Sequence, residues 1–226
     1  MPTRLGVLGG TFDPVHLGHR AAGLAAAHAL ALDEVRLVPS RLPPHRPLGP
    51  HASDHHRFAM TALMAMDEPA WTVSDGEVGR EGPSYTFDTL TALHHGGLTP
   101  TQIFFLLGAD AFAEIATWSR YPAVLDLAHF VVVARPGVTL ESVMARMPAM
   151  TARLTPPAAL AARPAPGIAL LNAPTPDVSS TDIRARVADG RTLSGLVSAP
   201  VERYIRRHGL YGSRSTMVGA LHGQDE

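Results

Sequence analysis

Gly9-Gly10-Thr11-Phe12-Asp13-Pro14-Val15-His16-Leu17-Gly18-His19, GGTFDPVHLGH, is the stretch from which the rest of the chain can be read. It follows a short apolar run, Leu5 to Leu8, and precedes an Ala/Leu-rich segment, Leu17 to Leu32, of strong helix-forming composition. The pattern predicts strand, tight turn, helix. Gly9 and Gly10 carry no Cβ, so the backbone can turn sharply there and a phosphate has room to approach, with Thr11 beside it. A helix beginning between Val15 and Gly18 would aim its unpaired N–H groups and the positive end of its dipole at that gap. His16 and His19 stand three residues apart, which on a helix puts two imidazoles on one face, both able to donate to a single anion.

The chain has 226 residues, 46% hydrophobic and 17% charged, enough for one well-buried domain and short for two. Residues 1–212 read as that domain, and Ser213 to Glu226, rich in glycine and polar residues, as a flexible C-terminal tail. A formal net charge of -1 gives no electrostatic footprint for nucleic acid, so small-molecule partners are expected. Cysteine is absent, which excludes disulfides, thiolate nucleophiles and thiolate metal sites. No apolar run reaches the roughly 18 residues of a membrane span. Leu17 to Leu32 comes nearest, but His19, Arg20 and His28 interrupt it and it lacks the pattern of a secretory signal. The expectation is a cytoplasmic protein with no membrane partner.

Lysine is also absent. That removes the P-loop and Schiff-base chemistry and leaves phosphate to arginine, histidine, hydroxyls and backbone N–H groups.

Past the first helix, Glu34 to Val38 suits a second strand, and Ser40 to His51 a loop in which Pro43-Pro44-His45-Arg46 sets a stiff turn before two side chains able to meet phosphate. Ser53 to Asp67 reads as an amphipathic helix with Phe58, Met60, Leu63 and Met64 on its apolar face, and with Met60, Met64 and Met66 as core rather than cofactor contacts. Trp71 to Ser74 suits a third strand. Gly82-Pro83-Ser84 leads into a helix from Tyr85 to His95 whose start carries the hydroxyls of Ser84 and Thr86, a place for a carboxylate or an ordinary cap.

Gln102 to Leu107 has the composition of a strand buried on both faces, and Gly108 and Asp110 follow it where open parallel sheets bind ligands. Asp110 could accept from ribose hydroxyls or cap a helix from Ala111 to Thr117. Trp118, in a polar loop, is either a lid over the core or a stacking platform for an aromatic ligand. His129 to Arg135 is another buried strand, Val138 to Met147 a short helix, Thr155 to Pro166 a surface excursion without chemistry, and Ile168 to Leu171 the last core strand. Then Val178-Ser179-Ser180-Thr181-Asp182-Ile183-Arg184 opens a helix with hydroxyls and places a guanidinium one turn inside, a set suited to one anion or, through Ser179 and Asp182, to a cap. Pro200 to His208 makes a final helix. Strands alternating with helices give an α/β fold, a Rossmann-like three-layer sandwich with a mostly parallel sheet in a single domain.

These stretches, in this order, resemble the bacterial nicotinate-nucleotide adenylyltransferases of the nucleotidyltransferase superfamily. The resemblance rests on GGTFDPVHLGH, PPHR, PSYTFDTL, GAD with Trp118 downstream, and VSSTDIR, where valine replaces the first isoleucine of the I-S-S-T-x-[IV]-R motif. It spans roughly Arg4 to Tyr211. It implies adenylyl transfer from ATP to nicotinate mononucleotide, giving nicotinate adenine dinucleotide and pyrophosphate. On this reading His16 and His19 serve catalysis. Gly9, Gly10, Thr11, His16, His19, Gly108, Asp110, Ser180, Thr181, Arg184 and Arg46 serve ATP, while Ser84, Tyr85, Thr86 and Trp118 serve the acceptor. Mg²⁺ would come with the ATP phosphates and keep most of its waters, so no metal ligand is expected from protein side chains.

Two rival readings differ in the residues they need. Pantetheine-phosphate adenylyltransferases are similar at both ends but shorter, and typically have threonine at the place of His16. A metal-dependent hydrolase would use His16 and His19 with His45, His51, His55 and His56, and would leave the glycine pair and VSSTDIR unexplained.

Overall fold

Six apolar segments form one sheet in the computed structural model, which describes residues 3–44, 49–134 and 148–212. The strands are β1 (Leu5–Gly10), β2 (Glu34–Pro39), β3 (Trp71–Val73), β4 (Ile103–Gly108), β5 (His129–Ala134) and β6 (Ile168–Asn172). They run in the order β3-β2-β1-β4-β5-β6 and every pair is parallel, so the sheet is wholly rather than mostly parallel. That order is the doubly wound one, and its reversal between β1 and β4 opens a crevice at the carboxyl ends of those two strands.

Burial on both faces explains the near-continuous apolar strands. Along β1 and β4, Leu5, Val7, Ile103, Phe105 and Leu107 face one layer, while Leu8, Phe104 and Leu106 face the other. The first layer contains Leu90 of α3 (Thr86–His95) and Phe112 of α4 (Ala109–Ala113). The second contains α1 (Leu17–Leu30) and α2 (Asp54–Ala65), together with α5 (Pro157–Leu160), α6 (Ser180–Ala188) and α7 (Ala199–Arg207).

Several boundaries and faces differ from the sequence reading. The helix predicted over Ala111–Thr117 is two pieces, α4 and a 3-10 turn at Ile115–Thr117, with Gly108 rather than Asp110 at the N-cap. The stripe of α2 that is buried runs through Arg57, Met60, Thr61, Met64 and Ala65, so Phe58 and Leu63 flank it. Met66 is 79% exposed and belongs to no core. The Ala/Pro-rich excursion is anchored, since Leu160 of α5 is fully buried. The helix expected over Val138–Met147, Arg46 of the proline loop and the tail from Ser213 lie outside the described residues.

Candidate active site

A cavity of about 350 Å³ lies at the carboxyl ends of the central strands. Its walls bring together ten of the residues singled out in the sequence: Gly9, Gly10, Thr11, His16, His19 and Gly108 with Ser84, Tyr85, Thr86 and Trp118. Asp110, Ser180, Thr181 and Arg184 do not line it.

The β1–α1 turn differs from expectation in a way that defines the site. His16 is not on the helical face. Its backbone is extended (φ -148, ψ 171) and it is the N-cap of α1. The two imidazoles therefore stack, centroids 3.7 Å apart and planes 29° from parallel. The His16 N–H donates to Nδ1 of His19 at 3.2 Å. With Nδ1 accepting, neutral His19 carries its proton on Nε2, a donor suited to a phosphate oxygen. The helix N-terminus is also less open than the sequence suggested. Leu17 N–H is taken by the Leu196 carbonyl, and that of His19 by the His16 carbonyl.

Gly10 owes its identity to the chain's own packing. A Cβ there would lie 2.9 Å from the ring of Phe12, which has a left-handed backbone (φ 49) and is buried under the turn. Gly10 itself lines the cavity. At Gly18 a Cβ would meet His16 at 3.0 Å and Val178 at 3.1 Å, so glycine is what allows the stacked histidines to sit against the approach to α6.

At α6, Ser179 is the N-cap and accepts from Asp182 N–H at 3.1 Å. Ser180 Oγ donates to the Pro14 carbonyl at 2.9 Å. Arg184 Nη1 donates to the Asp13 carbonyl at 2.7 Å and Nη2 to Thr181 Oγ1 at 3.1 Å. The second diagnostic stretch thus holds the first by its backbone.

At the start of α3, Tyr85 is the N-cap and Thr86 the first residue. Ser84 Oγ accepts from Arg41 N–H at 3.0 Å. Trp118 meets Phe105 edge to face at 6.0 Å while lining the cavity, so it is both cover for the core and a cavity wall. Arg120, with left-handed backbone (φ 58), places its guanidinium 4.8 Å from the centroid of Phe87 on α3.

Sequence reading missed Ser40, Glu77, Thr89 and Phe105 in the walls. Glu77, the only carboxylate among the described lining residues, bonds Thr89, and burial pushes its pKa up against the opposing pull of Thr89 and Ser84. Also missed were buried Asp13 and Arg57, which organise the loops. For Arg57 a signal existed, a cation at helical spacing from Met60, Thr61 and Met64. Among the described residues no group of three or more His, Cys, Asp or Glu side chains could hold a metal ion.

Comparison with known proteins agrees with this geometry. Residues 7–186 match the family model described as cytidylyltransferase-like. A protein of Pseudomonas syringae pv. tomato named "probable nicotinate-nucleotide adenylyltransferase" is 41% identical over 218 residues, spanning 96% of this chain and 97% of its own. One of the same name from Roseiflexus sp. is 42% identical over 210 residues, spanning 92% and 97%. Among solved structures, Plasmodium falciparum nicotinic acid mononucleotide adenylyltransferase complexed with NaAD superposes with a TM-score of 0.70 at 19% identity, covering 92% of this chain and 97% of that one, a likeness of fold. Identity of about two residues in five, sustained along nearly the whole length, places the chain among the cytidylyltransferase-like proteins and, within them, in the nicotinate-nucleotide adenylyltransferase family.

Proposed function

We infer that the protein transfers an adenylyl group from ATP to nicotinate mononucleotide, giving nicotinate adenine dinucleotide and pyrophosphate, a step of NAD biosynthesis. One observation carries this reading beyond the family name. A single cavity is lined at once by the stacked pair His16 and His19 and by the Tyr85-Thr86 helix start with Trp118. A phosphate grip and an aromatic, donor-lined subsite then face the same space.

In the reaction a phosphate oxygen of the mononucleotide bonds to the α-phosphorus while the α–β anhydride bond breaks and pyrophosphate leaves with the bonding electrons. The nucleophile is already an anion at neutral pH, so positioning and charge neutralisation carry the rate. His19 Nε2–H would donate to the transferring phosphoryl and His16 would support it, with Gly9, Gly10, Thr11 and Gly108 along the nucleotide. Ser180, Thr181, Arg184 and Arg46 would serve the β- and γ-phosphates. Ser180 and Arg184 would do so from bonds that already brace the turn. The lining donors are imidazoles, hydroxyls and backbone N–H groups, and Glu77 is committed to Thr89. That donor set suits a Mg²⁺ ion held by the nucleotide's own phosphate oxygens and water, where it would neutralise charge on the leaving group.

No helix among the described residues is long and apolar enough to cross a membrane, and we propose the cytoplasm as the place of action. Nicotinate and nicotinamide mononucleotide differ by a carboxylate against a carboxamide of nearly equal shape, so charge and donor count must separate them. Thr86 Oγ1 and the N–H groups at the start of α3 would donate to the ring substituent, and Trp118 would stack on the pyridine. A carboxamide would leave at least one donor unpaired. At about 1 to 3 kcal/mol for each mismatch, two give a preference on the order of a hundredfold for the acid. The test is to incubate the protein with ATP, Mg²⁺ and each acceptor separately, identify the product by mass and compare kcat/KM. Formation of nicotinate adenine dinucleotide supports the reading, and failure to form it from any preparation of folded protein overturns it.

A further inference from the structure

Arg57 is 1% exposed, yet its guanidinium reaches four backbone carbonyls on three segments. Nε donates to Ala52 at 3.2 Å, Nη1 to Thr11 at 2.7 Å and to Ser40, and Nη2 to Arg41 at 2.9 Å. Burying a guanidinium is costly unless its donors are satisfied, and here carbonyls take that role. What they belong to matters more than their number. Thr11 lies on the turn that carries His16, Ser40 lines the cavity, and Ala52 immediately precedes Ser53, the N-cap of α2.

The short strip Ser40–Leu42 is gripped again from the opposite side. Ser84 N–H donates to the Leu42 carbonyl at 2.9 Å and Ser84 Oγ accepts from Arg41 N–H at 3.0 Å. Arg41 Nη1 donates to the Arg80 carbonyl at 2.9 Å. Ser40 N–H donates to the Gly10 carbonyl at 2.9 Å. The strip is therefore a spacer with the nucleotide turn on one flank and the start of α3 on the other.

We propose that Arg57 is a positioning residue of the transfer reaction. By fixing Ser40–Arg41 to Thr11, and through Arg41 to Ser84, it sets the separation between the two half-sites and so the line along which the acceptor phosphate meets the α-phosphorus. The inference rests on the two-substrate reading of the cavity. It also gives the Ser84 hydroxyl a part in the spacer, since that oxygen accepts from Arg41 N–H.

A displacement of the order of 1 Å between reactants can cost about a hundredfold in rate without loss of either binding interaction. The expected signature of Arg57→Lys is thus a kcat lower by about ten- to a hundredfold, because one ammonium cannot bond four carbonyls in a plane. Calorimetry with a non-hydrolysable ATP analogue alone, and with nicotinate mononucleotide alone, should give Kd values within about threefold of the unmodified protein's.

Ser84→Ala releases the other flank without touching the guanidinium and should show the same split, and the double variant should fall no further than the more impaired single one, as members of one unit do. If Arg57→Lys does not fold, Ser84→Ala decides alone. A kcat within threefold of normal in folded Arg57→Lys overturns the proposal, as does a Ser84→Ala enzyme that loses only acceptor affinity. Whether the unmodified protein makes nicotinate adenine dinucleotide is read separately from its product, so failure of the functional reading is distinguishable from failure of this one.

Discussion

The hydroxyl of Tyr211 donates to Oδ1 of Asp13 at 2.9 Å, joining residues 198 positions apart. The Asp13 side chain has no exposure and also accepts from the backbone N–H groups of His51 and Ala52, at 2.8 and 3.1 Å. One carboxylate in the β1–α1 turn thus holds the far side of the proline loop and the last described turn of the chain. Tyr211 has a left-handed backbone (φ 63), a conformation that needs such an anchor. Burial first, and then the neighbouring Asp13 carboxylate, push the phenol's pKa up, so it remains a donor at every pH the enzyme meets.

Tyr211→Phe should therefore lower unfolding free energy by about 1.5 to 3 kcal/mol, the range for a bond to a charged group. It should raise KM for ATP and leave that for the acceptor unchanged. Urea denaturation with paired steady-state kinetics checks both, and an acceptor-specific effect would contradict the link to the nucleotide turn.

Arg184→Lys keeps the charge but not the two-point contact with the Asp13 carbonyl and Thr181. The expected result is a kcat/KM for ATP lower by about ten- to a hundredfold, the equivalent of one charge-assisted bond. If the variant loses stability but handles ATP normally, Arg184 braces the turn and does not meet the nucleotide.

For His19, the stacked geometry and the Nε2 proton lead to a sharp expectation. His19→Ala should reduce kcat by roughly two to three orders of magnitude, as removal of a transition-state donor does, with circular dichroism unchanged. Near-normal turnover would remove His19 from the chemistry.

His129 gives a pH-dependent prediction away from the site. It is fully buried, Nδ1 accepts from Gly167 N–H at 3.1 Å, and burial with the charge of Arg163 pushes its pKa down to about 4. In the unfolded chain the imidazole protonates near its ordinary 6.5. The unfolded state therefore binds the proton first, and stability is lost as pH falls from 6.5 towards 4. His129→Asn keeps an acceptor near the Nδ1 position without the titration. Its unfolding free energy should fall less steeply over that window, and equal slopes for the two proteins would refute the assignment.

Strand and helix identities were legible in the sequence because each reports a local periodicity, and the two turns at the starts of α1 and α6 because glycine, hydroxyl and histidine spacing constrains nearby backbone. Ten of the residues named from sequence meet around one cavity for that reason. What the sequence determined by itself is the alternation of elements, the parallel α/β class and the family. Tertiary structure alone decided the stacking of His16 on His19, since the helix starts one residue later than a shared face would need. It also decided that Gly10 makes room for Phe12 and that Ser84 serves Arg41. Asp13 and Arg57 became organising charges only once distant segments delivered N–H groups and carbonyls to them. A buried charge is stabilised by partners remote in sequence, and no local pattern encodes where those partners come to rest.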